Sequence, residues 1–115
     1  MKNIIVTLSM ILLASCTKYD QKYIVHNTSK PQTIILKNRE GINVTSISIK
    51  GYGHIDGNAQ IILMLNGKPY KSENISGNIK FKWSSDWYSN DATIIYTPQN
   101  VTTGNLIIEY NFNLL

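Results

Sequence analysis

The chain has 115 residues, of which 43% are hydrophobic and only 16% are charged, with a formal net charge of +4. Average soluble domains contain about 25% charged residues, so this composition excludes a highly charged disordered chain and favours one small packed domain. The single cysteine excludes an internal disulfide framework and a zinc site built on cysteines.

The N-terminus has a charged start followed by a short apolar run. Lys2 precedes the mostly apolar segment Ile4 to Leu13. A transmembrane helix needs about 20 apolar residues, whereas the apolar region of a secretory signal peptide needs about 7 to 15. Residues 1–15 are therefore predicted to be a cleaved signal peptide.

The end of this segment carries a recognisable motif. Leu13, Ala14 and Ser15 immediately precede Cys16, the only cysteine in the chain. These four residues resemble the lipobox of bacterial lipoproteins, a resemblance that covers residues 1–16 only. It implies that a signal peptidase recognises Leu13, Ala14 and Ser15 and cuts before Cys16, which carries a diacylglycerol thioether. The implied partner is membrane lipid, bound through the acylated Cys16.

The residue after the cysteine bears on location. In the lipoproteins that this segment resembles, Asp at that position often retains the protein in the inner membrane. Thr17 stands there in this chain, which favours the outer membrane, with the periplasmic or surface-facing side left open. Two or three acyl chains would anchor the protein firmly, since one chain alone binds marginally. An ordinary cleaved signal with an incidental cysteine is the alternative.

Basic residues of the mature chain are scattered. Without residues 1–15 the chain keeps ten basic and seven acidic residues, a net charge of +3. No run of Lys or Arg resembles a nucleic-acid patch, so no nucleic-acid partner is predicted. Lys18, Lys22 and Lys30 are close enough to the predicted anchor to contact anionic head groups, although a solvated tether is the preferred interpretation.

The mature chain divides into a polar start and an apolar, β-branched remainder. Residues 16–32 are predicted to be the lipidated cysteine and a flexible tether, in which Tyr23 to His26 is a candidate edge strand. Residues 33–115 contain short apolar runs separated by turn residues, and no window keeps a helical period for three turns. We predict an all-β domain, an antiparallel sandwich or small barrel of about seven strands, near 33–37, 42–54, 58–66, 68–72, 78–83, 92–97 and 105–114.

Several local patterns refine this prediction. Apolar residues occupy alternate positions from Leu106 to Leu114, which is typical of a strand with one buried face. The apolar parity slips at Thr45-Ser46, which predicts a β-bulge. Asn66-Gly67 suits a two-residue type I′ hairpin turn, and Pro69 after it predicts an edge segment from Lys68 to Lys71.

Asp56-Gly57 is predicted to be a second hairpin turn. Apolar residues on both sides of it fall on odd positions, so a three-residue loop is needed to bring the apolar rows together. Such a loop pairs residue 54 with 58, Ile49 with Leu63, and Ile47 with Leu65.

Two clusters are candidates for chemistry. His54 and Asp56 lie in a glycine-rich segment and are arranged as a base and its orienting acid would be, although a strand that ends in an Asp-Gly turn is the preferred interpretation. The second cluster is the segment from Ser84 to Asp91, where polar groups surround two adjacent aromatic residues.

In that second cluster, Trp87 and Tyr88 are predicted to stack against a saccharide or peptide, and Asp86, Asn90 and Asp91 to accept hydrogen bonds. Adjacent residues of an extended segment point to opposite sides, so at least one ring must leave the core. The alternatives are that Trp87 is a core residue, or that Asp86 and Asp91 hold calcium.

Nothing in the sequence indicates a nucleophile. There is no Gly-x-Ser-x-Gly elbow, and neither histidine has the flanking pattern of a triad base. We therefore predict a protein that is not an enzyme and uses no cofactor or metal. A carboxylate pair for glycoside hydrolysis remains open.

Together these features predict a lipid-anchored envelope protein with a non-enzymatic binding or accessory domain, whose partner is an unidentified envelope protein or saccharide. One alternative is a surface inhibitor, immunity or exclusion protein that acts on a protein target. Another is a structural subunit whose exposed edges, such as Lys68 to Lys71, pair with a partner.

Overall fold

The computed structural model describes residues 19–39 and 43–114. The predicted signal peptide, the lipobox and Cys16 lie outside the described residues. Six strands, all paired antiparallel, make up the described part of the chain: β1 (Gln21–Ile24), β2 (Gln32–Lys37), β3 (Val44–Leu65), β4 (Lys68–Asp86), β5 (Asp91–Pro98) and β6 (Gly104–Leu114). The described residues contain no helix long and apolar enough to cross a membrane.

Two long strands, β3 and β4, organise the fold. Residues 44–55 of β3 pair with β6 on one side and with β4 on the other, and β1 continues this group beyond β6. We call these strands the first half-sheet. Residues 58–65 of β3 pair instead with β5 and with the start of β4, and β2 lies beyond β5. These strands form the second half-sheet, so the predicted antiparallel all-β fold is confirmed.

The two half-sheets share one core, formed by the inward-facing side chains of each strand. Tyr110 on β6 and Leu36 on β2 illustrate the contact, since both are buried members of the same core cluster. Tyr96 on β5 is fully buried and its hydroxyl donates to the carbonyl oxygen of Thr28 over 2.7 Å. Burial raises the pKa of both tyrosines. The alternating apolar rows thus close on each other as a sandwich does.

The predicted hairpin at Asp56-Gly57 is wrong. β3 continues through these residues without a hairpin turn, and Ile55 and Asn58 pair with consecutive residues of β4, so that Asp56 and Gly57 form a two-residue bulge. The side chain of Asp56 explains the difference, because its carboxylate accepts hydrogen bonds from Thr102 and Thr103 instead of closing a turn. These bonds lower the pKa of Asp56, with the Thr102 hydroxyl the largest cause.

Gly57 is required at this corner for space. A Cβ there would lie 2.2 Å from the backbone oxygen of Asn100, closer than any real contact. The side chain of Asn100 also accepts from the backbone N–H of Asn58 over 2.7 Å. The corner therefore packs against the β5–β6 loop. The predicted strands 42–54 and 58–66 are the single bent strand β3, and the predicted strands 68–72 and 78–83 are both part of β4.

Other local predictions are confirmed. Asn66 and Gly67 form a two-residue turn with φ values of 53° and 76°, as a type I′ turn requires, and Leu65 pairs with Lys68 across it. Pro69 lies on β4, which pairs only with β3 among the described strands. The bulge at Thr45 is present, since Val44 and Ser46 pair with consecutive residues of β6.

Part of the predicted tether belongs to the domain. The candidate edge strand forms two residues earlier than predicted, at Gln21–Ile24, and pairs with β6 at the edge of the first half-sheet. Tyr23 packs against the core and Val25 is buried, which explains why this mostly polar segment is ordered.

Candidate binding site at the hairpin tip

The turn of the β3–β4 hairpin lies beside the β4–β5 loop. β4 bends so far that its two ends meet: the hydroxyl of Tyr70 lies 2.7 Å from Oγ of Ser85. The Tyr70 ring also contacts Trp87, with 6.4 Å between the ring centroids. We call the apolar residues gathered here, namely Leu65, Tyr70, Trp87 and Tyr88, the tip cluster.

Trp87 and Tyr88 have opposite environments, as expected for neighbours in an extended segment. Trp87 is only 4% exposed, whereas Tyr88 is 77% exposed. The indole Nε1 of Trp87 donates to the carbonyl oxygen of Asp91 over 2.9 Å, and its backbone N–H donates to Thr45. Trp87 is therefore a core residue, and the predicted stacking role falls to Tyr88, since a buried ring has no free face for a ligand.

The three predicted acceptors also differ in their roles: two hold the loop in place and one is free to face a ligand. Asn90 and Asp91 hold the loop in place: the carbonyl of Asn90 accepts from the backbone N–H of Asn38, and Asp91 exchanges hydrogen bonds of 3.3 Å with Ser89. Asp86 is exposed and lines the groove beside Tyr88. Asp86 is thus the acceptor best placed for a ligand.

A groove of about 470 Å³ runs along the tip cluster, and Asn66 and Ser89 complete its lining with Asp86. A second hollow of about 340 Å³ shares Leu65, Asn66, Trp87 and Ser89 with the first and is also lined by residues of β5. These volumes are within the range of small-ligand sites. Ser89 lies in the predicted segment, whereas Leu65 and Asn66 were not predicted as site residues; the neighbouring hairpin turn is the signal that would have suggested them.

Tyr70, which lines the same groove as Tyr88, is held in place by three contacts. Its ring packs on Trp87, its hydroxyl bonds to Ser85, and Nζ of Lys71 lies 5.1 Å from its ring centroid. The ring is still 44% exposed, so it forms a wall of the groove while Tyr88 stays free.

The other candidate cluster is not assembled as a catalytic pair. Nδ1 of His54 lies 2.9 Å from the side-chain oxygen of Asn78 on β4, while Asp56 bonds to the β5–β6 loop. Each side chain serves a different structural contact, which favours the structural interpretation. Among residues 19–39 and 43–114 there is no group of three or more His, Cys, Asp or Glu that could hold a metal ion.

Comparison with known proteins bears on the fold. No protein-family model and no curated protein matches the chain. A solved structure described as the crystal structure of PirA is similar to it, with a TM-score of 0.55 and 16% identity over 83% of this chain and 95% of that one. At this identity the likeness shows the fold alone.

Two further solved structures are similar at 16% identity but with lower scores. A carbohydrate-binding module, CBM36, in complex with calcium and xylotriose has a TM-score of 0.38, over 85% of this chain and 94% of that one. A Bacillus endospore appendage from a family of disulfide-linked pili has a TM-score of 0.42, over 88% and 97%. Both scores are too low to carry an argument, so the comparisons support an all-β domain and nothing finer.

Proposed function

We propose that the protein is a lipid-anchored, non-enzymatic binding module of a bacterial envelope, and that a saccharide binds at the tip cluster. The observation that carries the binding site is Tyr88, whose ring is 77% exposed at the edge of a groove of about 470 Å³. The lipobox resemblance of Leu13 to Cys16 supports the anchor.

The chemistry of the groove suits sugar hydroxyls. The face of Tyr88 offers a stacking surface, and the carboxylate of Asp86 receives no hydrogen bond from any described residue, so it can accept from a hydroxyl. The loop that carries both is fixed from behind by Trp87 and Asp91, which lowers the entropy lost on binding. One stacked ring contributes about 1–3 kcal/mol by analogy with base–aromatic platforms, so useful affinity requires several such contacts.

A protein target is the second candidate, as in an inhibitor or immunity protein. It is favoured by the position of the cluster on a hairpin tip and by Leu65, which is 37% exposed beside the tyrosines. A structural subunit built by strand addition is less well supported. β4 does leave one edge open, but Pro69 and the lysines along it are residues that block further strands.

Acylation of Cys16 has a direct test. Mass spectrometry of the mature protein should show a chain that begins at an acylated Cys16, and Cys16→Ala should move the protein out of the membrane fraction because the acyl chains are lost. A soluble mature form with another N-terminus would contradict the proposed anchor, but it would not affect the proposal that the tip cluster binds a ligand.

Tyr88→Ala should weaken binding at least tenfold, because it removes the exposed stacking surface; tenfold corresponds to about 1.4 kcal/mol, within the range for one stacked ring. Binding would be measured by titrating the acylated protein with oligosaccharide fragments of the envelope. Tyr52→Ala, which removes a tyrosine from the outer face of the first half-sheet, serves as the matched control.

If Tyr88→Ala keeps full affinity for these fragments while Tyr52→Ala loses it, the site lies on the first half-sheet and the proposal is wrong. If no oligosaccharide binds but an envelope protein crosslinks to the tip only when Tyr88 is present, the second candidate replaces the first.

A further inference from the structure

The outward surface of the first half-sheet is cationic. The strand pairing places Lys22 opposite Glu109, Glu109 opposite Lys50, and Lys50 opposite Lys82, which makes one row across four strands. Lys80 lies in the next row, opposite Tyr52. Asp86, opposite Ser46, lies on the same outward side, so the outward positions of the first half-sheet carry four lysines and two carboxylates. We call the four lysines and Glu109 the cationic face.

The charges on this face are only partly balanced within the described structure. Nζ of Lys50 lies 3.6 Å from a carboxylate oxygen of Glu109, and the hydroxyl of Tyr52 donates to the same carboxylate over 2.7 Å. These contacts lower the pKa of Glu109, with the Tyr52 hydrogen bond the largest cause. Lys80 and Lys82 form no ion pair with any described residue.

The arrangement has an energetic cost. Like charges that are directly opposite in an antiparallel pair destabilise the sheet, and Lys50 and Lys82 are such a pair. The second half-sheet forms without charged side chains at its central outward positions, so a half-sheet of this fold does not require them. Those positions are Thr33, Ile35, Ile62, Met64, Thr93 and Ile95. An anionic surface would offset the repulsion on the cationic face.

The face adjoins the start of the domain. Nζ of Lys50 lies 5.2 Å from the ring centroid of Tyr19, and Cys16 precedes Tyr19 by three residues. Three residues span at most about 10 Å, so an anchored Cys16 would hold this face close to the bilayer surface. That distance is comparable to the Debye length of about 8 Å at physiological ionic strength.

An apolar residue accompanies the lysines. Ile24 is 54% exposed on β1, in the row that contains Tyr52 and Lys80. Ile35 on the second half-sheet is exposed to a similar degree, 52%, but it lies among the uncharged central outward positions of that half-sheet. A lipid surface can receive Ile24 between head groups that bind the adjacent lysines. This combination favours a membrane over a free anionic polymer.

We propose that the cationic face lies on the anionic head groups of the membrane that holds the Cys16 anchor. The proposal rests on the acylation of Cys16 and adds an orientation to it: the first half-sheet faces the membrane, and the second half-sheet, whose central outward positions are uncharged, faces away.

The test uses the acylated protein inserted from outside into preformed vesicles, either of phosphatidylcholine alone or with added phosphatidylglycerol. A membrane-impermeant amine reagent labels the lysines, and mass spectrometry measures the labelling rate at each one. In anionic vesicles, labelling of Lys22, Lys80 and Lys82 should fall about fivefold, the factor that corresponds to the ~1 kcal/mol expected for one lysine at an anionic surface. High salt should abolish the protection.

Lys37 and Lys68 are the internal controls, since both belong to the second half-sheet and are exposed. Their labelling should be the same in both vesicle types. Equal labelling of the cationic face in the two vesicle types would overturn the proposal, and so would equal protection of the controls. The mass of Cys16, read in the same spectra, separates a missing anchor from a wrong orientation.

Discussion

Replacing Trp87 with alanine is expected to lower the free energy of unfolding by about 3–5 kcal/mol, the usual cost of removing a buried large aromatic side chain. The indole is 4% exposed and packs against Tyr70, so its removal leaves a cavity between the two ends of β4. The variant also leaves the carbonyl oxygen of Asp91 without its donor. Small domains are stable by only about 5–15 kcal/mol, so urea unfolding should show a large shift of the midpoint.

The neighbouring residue provides the matched control. Tyr88→Ala should change stability by no more than about 0.5 kcal/mol, because an exposed side chain loses little on truncation. Two adjacent aromatic residues are thus expected to differ by a factor of six or more in their effect. Equal destabilisation by both variants would contradict the packing of this loop. If Trp87→Ala were as stable as the parent protein, Trp87 would not be a core residue.

Tyr110→Ala should cost a similar amount, about 3–5 kcal/mol. Tyr110 is 8% exposed on β6 and makes an edge-to-face contact with Phe112, with ring centroids 6.0 Å apart. Its side chain belongs to the core cluster that the two half-sheets share, so its removal weakens the packing between them. Unfolding in urea, followed by far-UV circular dichroism, would measure the loss.

Tyr110→Phe separates the ring from the hydroxyl. This variant keeps the ring packing and removes only the hydroxyl, so we expect a loss of no more than about 1 kcal/mol. If Tyr110→Phe were as damaging as Tyr110→Ala, the hydroxyl rather than the packing of the ring would account for the loss, and this interpretation of Tyr110 would be wrong.

The last strand and the hairpin turn show what local sequence predicts well. Residues from Leu106 to Phe112 alternate between the core and the surface, as their spacing indicates, because side chains of a strand alternate by geometry. Asn66-Gly67 forms the predicted turn since both positions need positive φ, which few residues other than glycine and asparagine tolerate. Each of these features depends on a few consecutive residues.

The corner at Asp56-Gly57 shows where local sequence fails. Asp-Gly is a common turn signal, but here the carboxylate of Asp56 binds Thr102 and Thr103, more than 40 residues away along the chain. Nothing within the segment itself indicates that partner. Tertiary contacts therefore decide that β3 continues into the second half-sheet without a hairpin turn.

Local sequence predicted only part of the candidate site, because the rest of the site also depends on contacts between distant residues. Sequence by itself determined that the fold is all-β, where the Asn66-Gly67 turn and the bulge of the β3–β6 pair lie, and that Trp87 and Tyr88 must point to opposite sides. These features follow from backbone geometry over short distances. Only the tertiary structure decided which of the two rings is buried and that Tyr70 meets Ser85. That contact exists because one strand bends until its ends touch, and the bend is set by long-range packing rather than by the residues between them.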